Sequence, residues 1–252
     1  MLSLAEQIQD TIELLQYSRQ IVVLTGAGIS TESGIPDFRS PDSIWQRQPP
    51  VSYREFISNP VARRQYWQTR RQLAQQVSQA RPNAAHQALA RLEQQQRLLG
   101  LITQNFDGLH HDAGHQPERI VELHGTSRFA ACTHCGNRSS IAELQQRVEE
   151  GEHDPRCTLC GGYLKAATIL FGQRIPEAEL NRAKALANTC DLFLVIGSSL
   201  KVTPASILPR LALQRNVPLI IINLTPTSLD TLADVVIHEH AGAVLPTIVS
   251  NL

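Results

Sequence analysis

Four of the five cysteines fall into two Cys-x-x-Cys pairs, Cys132–Cys135 and Cys157–Cys160, with 21 residues between them (Gly136–Arg156). Two such knuckles can bring four thiolates onto one tetrahedral metal ion, which is the pattern of a structural zinc site. Sulfur then fills every ligand position, so the ion has no open position for catalysis. Glycines follow each knuckle, at Gly136 and at Gly161-Gly162, where the chain must turn tightly under the metal. A redox pair is the alternative, weakened by the likeness of the two knuckles. His134, inside the first knuckle, reads as a surface residue, and the unpartnered Cys190 as a small core residue beginning a strand.

The rest of the chain follows a different rule. Leu4, Ile8, Ile12 and Leu15 stand at helical spacing, which predicts an amphipathic helix over 3–19. Ile21-Val22-Val23-Leu24-Thr25 then reads as a buried strand. Similar apolar runs recur at 99–103, 120–123, 192–196, 219–222 and 235–237, most of them separated by stretches long enough for helices. Strands alternating with helices predict an α/β fold, a doubly wound parallel sheet covered on both faces. Two segments break the alternation. Residues 36–82 are proline-bearing loops followed by a helical stretch around 61–77, and residues 126–168 hold the cysteines. Both read as insertions that build a smaller zinc-ribbon and helical lobe. The large lobe is then about 1–35, 83–125 and 169–252, and the small lobe about 36–82 and 126–168.

With 252 residues and 42% hydrophobic content, the chain can bury a full core. Lys+Arg and Asp+Glu both number 23, so bulk charge gives no reason to expect direct nucleic-acid binding. No apolar run reaches the length of a membrane span, and the N-terminus does not read as a signal peptide. Paired cysteines used for metal fit a reducing, cytoplasmic compartment.

In a parallel sheet of this kind, ligands bind beyond the carboxyl ends of the strands. Gly26-Ala27-Gly28-Ile29-Ser30, Gln104-Asn105-Phe106-Asp107, His124, Gly197-Ser198-Ser199 and Asn223 all follow predicted strands. A glycine pair after a strand lets backbone N–H groups approach a phosphate. Thr31 stands where a third glycine would complete the dinucleotide fingerprint, so spacing alone is equally compatible with a tight turn. His124 alone would more often be structural. Beside Asn105 and Asp107, a neutral imidazole suits a general base. His110 and His111 carry no comparable pattern.

Taken in order, Gly26-Ala27-Gly28-Ile29-Ser30, Gly34-Ile35-Pro36-Asp37-Phe38-Arg39, Thr103-Gln104-Asn105-Phe106-Asp107, His124-Gly125, the two cysteine pairs, Phe171-Gly172 and Gly197-Ser198-Ser199-Leu200-x-Val202-x-Pro204 resemble the motif set of sirtuins, the NAD-dependent protein deacylases. The resemblance runs over nearly the whole chain. It implies NAD and one structural zinc ion as cofactors, and acyl-lysine proteins or peptides as substrates. NAD would lie with its phosphates over Gly26, Ala27 and Gly28, close to Ser30 and Thr31. Its adenosine side would meet Gly197, Ser198, Ser199, Asn223, Leu224, Thr225 and Ala241. Nicotinamide would enter a pocket bounded by Ile35, Asp37, Asn105, Phe106 and Asp107, with Phe38 excluding water and Arg39 and Gln104 nearby. His124 would act as base on a ribose hydroxyl, and the products would be free lysine, nicotinamide and O-acyl-ADP-ribose. The peptide would add as a strand near Phe171, Gly172 and Val202.

This chain departs from the family pattern in places. Phe106 replaces the usual isoleucine. Lys165-Ala166-Ala167 and Gln173 replace residues flanking the peptide groove. Sirtuins that accept acidic acyl chains carry Tyr-x-x-Arg on the helix lining the acyl tunnel. Here the best-placed stretch is Trp67-Gln68-Thr69-Arg70, which leaves Arg70 either in the tunnel or solvated, and Trp67 as a broad apolar wall. Mono-ADP-ribosyl transfer or NAD hydrolysis on the same scaffold is the alternative chemistry, and a non-catalytic NAD-binding module is a third reading.

Overall fold

The computed structural model describes residues 2–38, 40 and 43–252. Among the described residues there are nine strands: β1 (Ile21–Thr25), β2 (Leu98–Thr103), β3 (Ile120–Glu122), β4 (Gly125–Cys132), β5 (Arg138–Ser140), β6 (Leu164–Thr168), β7 (Leu192–Ile196), β8 (Leu219–Ile222) and β9 (Val235–Ile237). The helices are α1 (Leu4–Tyr17), α2 (Ile44–Arg47), α3 (Tyr53–Ser58), α4 (Pro60–Gln79), α5 (Ala84–Gln94), α6 (Leu109–Asp112), α7 (Ile141–Glu149), α8 (Glu177–Thr189), α9 (Leu208–Leu213) and α10 (Ala241–Ser250).

Six strands form one parallel sheet in the order β3-β2-β1-β7-β8-β9. Strands β1, β7 and β8 are buried at every position. That is why they read as continuous apolar runs: a helix covers each face. On one face Ile12 and Leu15 of α1, Leu89 of α5 and Val244 of α10 pack over Val23, Leu194 and Ile220. On the other, Ala183 of α8 and Leu208 and Ala212 of α9 pack over Val22, Phe193 and Ile221. The chain winds outward from β1 toward β3 and later outward from β7 toward β9. Winding therefore reverses between β1 and β7, and the crevice of a doubly wound sheet opens at such a reversal.

The predicted first helix is shorter than 3–19. Ser3 is its N-cap, closed by a reciprocal capping box with Glu6, and Ser18 ends it. The helix predicted around 61–77 runs a little longer at both ends, with Asn59 as N-cap and Pro60 in the first turn.

Strands β5-β4-β6 make a separate antiparallel sheet. It has its own core, in which Phe56, Tyr66 and Trp67 of α3 and α4 meet Ala130, Leu144, Val148 and Leu164. Arg63 of α4, 3% exposed, makes a two-bonded pair with Asp154 at 2.8 and 3.0 Å and also donates to the Phe56 carbonyl. Buried arginine needs such complete pairing. The pair joins the helical insertion to the cysteine-bearing one. No helix among the described residues is long and apolar enough to cross a membrane.

Candidate active site

The floor of the crevice is made where two strand-end loops touch. After β1 the chain passes Gly26 into a 3-10 helix, Ala27–Ser33. The Gly26 N–H donates to Ile196 O at 3.0 Å and the Gly28 N–H to Gly197 O at 2.9 Å. A Cβ on Gly26 would stand 2.7 Å from Gly197 O, and one on Gly28 would stand 2.8 Å from the Gly197 Cα. These glycines are required because backbone meets backbone.

Loop 104–107 after β2 is wired into this floor. Asn105, 8% exposed, donates through Nδ2 to Gly26 O and to Ser30 Oγ, both at 3.1 Å. Ser30 Oγ donates in turn to Asp107 Oδ2 at 2.8 Å, and Asp107 Oδ1 accepts the Leu109 N–H. Burial raises the Asp107 carboxyl above its ordinary range, and the two donors offset part of that. Gln104 Nε2 donates to Ser198 Oγ at 2.7 Å, tying the β2 loop to the β7 loop.

His124 stands in the gap between β3 and β4. Its Nδ1 is 2.9 Å from Gln104 O. A carbonyl can only accept, so Nδ1 carries the proton and Nε2 holds the lone pair. Burial lowers the imidazole below its ordinary 6.5, partly offset by the bond to Gln104. The ring is therefore neutral at neutral pH and able to take a proton at Nε2.

An apolar cleft lies alongside, walled by Phe38, Trp45, Tyr66, Phe106, Leu170 and Phe171 among others, with Arg70 as its one cation among the described residues. Phe38 stacks on Trp45 at 5.0 Å and meets Phe106 edge-on at 6.4 Å. Phe171 is exposed and its carbonyl accepts the Tyr53 N–H. Gly172 follows in the left-handed region.

Trp67 requires a correction: it does not wall this cleft. Its side chain is 2% exposed and faces Gln145, Val148 and Glu149 of α7. Residues 66, 69 and 70 share the cleft face of α4, whereas 67 and 71 share the opposite one. Tyr66 takes the place expected of Trp67. Its hydroxyl accepts the Ala166 N–H at 3.1 Å, and the Arg70 guanidinium lies 5.6 Å from its ring. Behind them Lys165 is buried, its ammonium donating to the Ala166 and Thr168 carbonyls. Burial, aided by Arg70, lowers it to about 8.

Other predicted residues lie around the crevice or beyond it. Thr31 turns its hydroxyl inward to Gly28 O. Ile35 and Asp37 lie on the loop after the 3-10 helix, and Asp37 accepts from Ser40. Ser199 is half-buried between buried Ser198 and Leu200. Asn223 donates to Thr225 O at 2.6 Å, while Leu224 is exposed. Ala241 is buried at the start of α10, whose Gly242 N–H reaches Glu32. Val202 lies before the 3-10 turn Ala205–Ile207, outside the apolar cleft. Arg39 lies outside the described residues.

The four knuckle thiols lie within 4.8 Å of one another. Cys132 and Cys160 sulfurs are 3.5 Å apart and Cys135 and Cys157 sulfurs 3.8 Å. A tetrahedron with Zn–S near 2.3 Å has edges of about 3.8 Å, whereas a disulfide requires about 2.05 Å. The donor set therefore fits zinc. Gly162 lies directly beneath, where a Cβ would meet the Cys132 sulfur at 2.7 Å.

Residues 26–204 match the model of the Sir2 family. The chain belongs to the Sir2 family. This sirtuin is 45% identical over 247 residues to an NAD-dependent protein deacetylase of Thermodesulfovibrio yellowstonii, covering 98% of this chain and 96% of the relative. It is 43% identical over 236 residues to NAD-dependent protein deacetylase 2 of Streptomyces coelicolor, covering 92% and 97%. A Sir2 enzyme solved to explain mechanism and regulation superposes with TM-score 0.88 at 40% identity, covering 98% of both chains. A Sir2 complex with p53 peptide and NAD+ superposes with TM-score 0.88 at 32% identity, covering 96% and 97%.

The sirtuin's crevice also fits NAD. Buried polar side chains Asn105, Ser198 and Asn223 stand beyond the ends of β2, β7 and β8, and the glycine floor lets a ligand approach the backbone. Tyr66, Trp45 and the Gln104–Ser198 tie escape a reading based on motifs. Helical phase on α4 would have found Tyr66, since it shares a face with Thr69 and Arg70.

Proposed function

We propose that His124, Asn105 and Asp107 carry the chemistry of NAD-dependent protein lysine deacylation in this crevice. The observation that carries the reading is the His124 hydrogen bond to Gln104 O. It holds the ring in the tautomer whose Nε2 can accept a proton, and burial keeps that nitrogen free at neutral pH. NAD, when bound, supplies the ribose carbon from which nicotinamide departs and the hydroxyl that receives the acyl group. The chain does the rest. Asn105 and Asp107, linked through Ser30, fix one wall. Gly26, Ala27, Gly28, Ser30, Thr31, Gly197, Ser198 and Ser199 hold phosphate and ribose, and Asn223, Leu224, Thr225 and Ala241 the adenosine end. Ile35, Asp37, Gln104 and Phe106 border the nicotinamide, and Arg39 belongs to the same loop. Phe38 and Trp45 keep water out. Cys132, Cys135, Cys157 and Cys160 hold one zinc ion that stabilises the small lobe and takes no part in the reaction.

The relatives' deacetylase activity supports this reading over mono-ADP-ribosyl transfer. The substrate is an acyl-lysine protein or peptide laid along Phe171, Gly172 and Val202 as an added strand. Among the described residues the walls of the acyl cleft are mostly apolar, and Arg70 is their one charged group. Acetyl and longer neutral chains therefore suit it at least as well as succinyl. The lobes divide at about 1–35, 83–125 and 169–252 against 36–82 and 126–168, in line with their separate cores. A cytoplasmic setting keeps the four thiols reduced for metal.

The test is an NAD-dependent assay over acyl-lysine peptides, read by mass spectrometry. One O-acyl-ADP-ribose is expected for each lysine freed. Free ADP-ribose or ADP-ribosylated protein as the main product would overturn the reading.

A further inference from the structure

His110 lies on α6, beneath the catalytic loop and 2% exposed. With His86 and His115 it forms a buried cluster, its ring tilted at 4.9 Å from the first and edge-on at 5.6 Å from the second. Its Nε2 is 2.9 Å from Thr25 Oγ1, at the end of β1. Thr25 Oγ1 donates to Thr103 Oγ1 at 2.9 Å, across the register of β1 and β2. Thr103 Oγ1 accepts the Asn105 N–H at 3.0 Å. The Thr25 carbonyl also accepts the Gln104 N–H at 2.9 Å, and Gln104 O holds His124.

We propose that His110 is a positioning residue for the deacylation reaction, its Nε2–H fixing the Thr25–Thr103 hydroxyl chain that sets Asn105 and, through Gln104, the His124 base. This rests on the roles proposed above for Asn105 and His124.

Proton bookkeeping along the chain dictates the tautomer. Thr25 gives its hydroxyl proton to Thr103, so its oxygen must accept from His110, and Nε2 carries the hydrogen. Nδ1 is then bare, and it has no partner among the described residues. The neighbours are set the same way. His86 Nδ1 faces Asn83 Oδ1 at 3.0 Å, and His115 Nδ1 faces the Glu93 carboxylate. Both can only donate there, so each also buries a bare Nε2. A second proton on His110 would bury an N–H with no acceptor beside two further imidazoles, and burial indeed drives its affinity for that proton well down. The ring is thus held neutral with one donor, aimed at Thr25. The cluster reaches the cofactor loop from its other end too, since Asn83 Nδ2 donates to Ile29 O at 2.7 Å.

Glutamine and asparagine at this position separate hydrogen bonding from packing. The glutamine amide nitrogen can take the place of Nε2, whereas that of asparagine falls near Nδ1. We expect His110→Gln to keep kcat within about threefold of wild type. His110→Asn and Thr25→Val should each lower kcat tenfold or more with peptide KM within twofold, since small misplacement of reacting groups is expensive in rate. The double variant should be no slower than the worse single one, as expected for two links of one chain. His124→Ala in the same assay keeps the two proposals apart, because inactivity there with equal activity of both His110 variants rejects only this one. Equal losses in His110→Gln and His110→Asn, or full activity in Thr25→Val, would overturn it. Thr25→Val decides the matter even if His110→Asn fails to fold.

Discussion

Gly197→Ala tests whether the crevice floor works by backbone contact. Gly197 has φ +59, in the left-handed region, where an L side chain costs about 1–2 kcal/mol. A Cβ there would also collide with the Ile29 amide nitrogen and stand 2.7 Å from the Gly28 carbonyl carbon. Both are backbone atoms, so no rotamer change relieves the clash, and forced overpacking adds about 1–3 kcal/mol. The sum, about 2–5 kcal/mol, is a large share of the ~5–15 kcal/mol that holds a domain folded. At roughly 2–4 °C per kcal/mol for a chain of this size, Tm should fall by about 4–20 °C. Gly114→Ala is the control. Its φ is +96 but nothing lies within 4 Å of the added carbon, so it carries only the conformational cost. Thermal unfolding and initial rates against NAD concentration should show two differences between the variants. Gly197→Ala should melt lower, and its KM for NAD should rise about tenfold or more as the two loops are pushed apart. Equal Tm and unchanged KM in both variants would show that the loops are not packed as described.

Several other outcomes can be stated. His124→Ala should lower kcat by roughly a hundredfold or more with zinc content unchanged. In wild type the acid limb of kcat/KM should have its midpoint below the ordinary 6.5, because the base must be neutral and burial lowers its pKa. A midpoint above 6.5 contradicts that assignment. Cys157→Ala should lose the metal by elemental analysis and unfold the small lobe, with activity lost as a result. Full activity without zinc refutes a structural ion. Arg70→Met should reduce the succinyl-to-acetyl efficiency ratio, by up to the roughly tenfold or more that a charge-assisted contact of about 1.5–3 kcal/mol supplies. An unchanged ratio places Arg70 outside the acyl path, and a strong succinyl preference in wild type refutes the mixed specificity. Trp67→Ala should destabilise the small lobe by about 3–5 kcal/mol and leave that ratio alone.

The sheet was legible because its strands are covered on both faces, so that Ile21–Thr25 and Leu192–Ile196 could only be buried strands. The cysteine site was legible because metal geometry restricts ligand spacing. The side of α4 facing the cleft was not. Trp67 and Tyr66 are adjacent, both aromatic and both buried, and a motif aligned by its arginine selects the wrong one. Only the phase of the helix, which turns Tyr66 toward the cleft and Trp67 toward α7, separates them. His110 was passed over for a similar reason. Its role lies in hydroxyl groups of strands 78 residues apart in sequence, Thr25 and Thr103, which no local pattern links.

One strand joins the two lobes. β4 starts beside His124 and ends at Cys132, and His124 O accepts the Ile169 N–H just past β6. From Gly125 to Cys132 the strand is paired with β6 at both ends, with one shift of register between Gly125 and Ala130. For the history of such enzymes this means that the small lobe cannot be traded as a module. Descendants can lengthen the stretch between the knuckles or the loops ahead of α4 and keep a working catalyst. An insertion between β3 and Gly125, or within the paired run Ala130–Cys132, would shift His124 or the knuckle in register. Diversity among relatives should therefore collect at the rim of the zinc lobe, while this short run keeps its length.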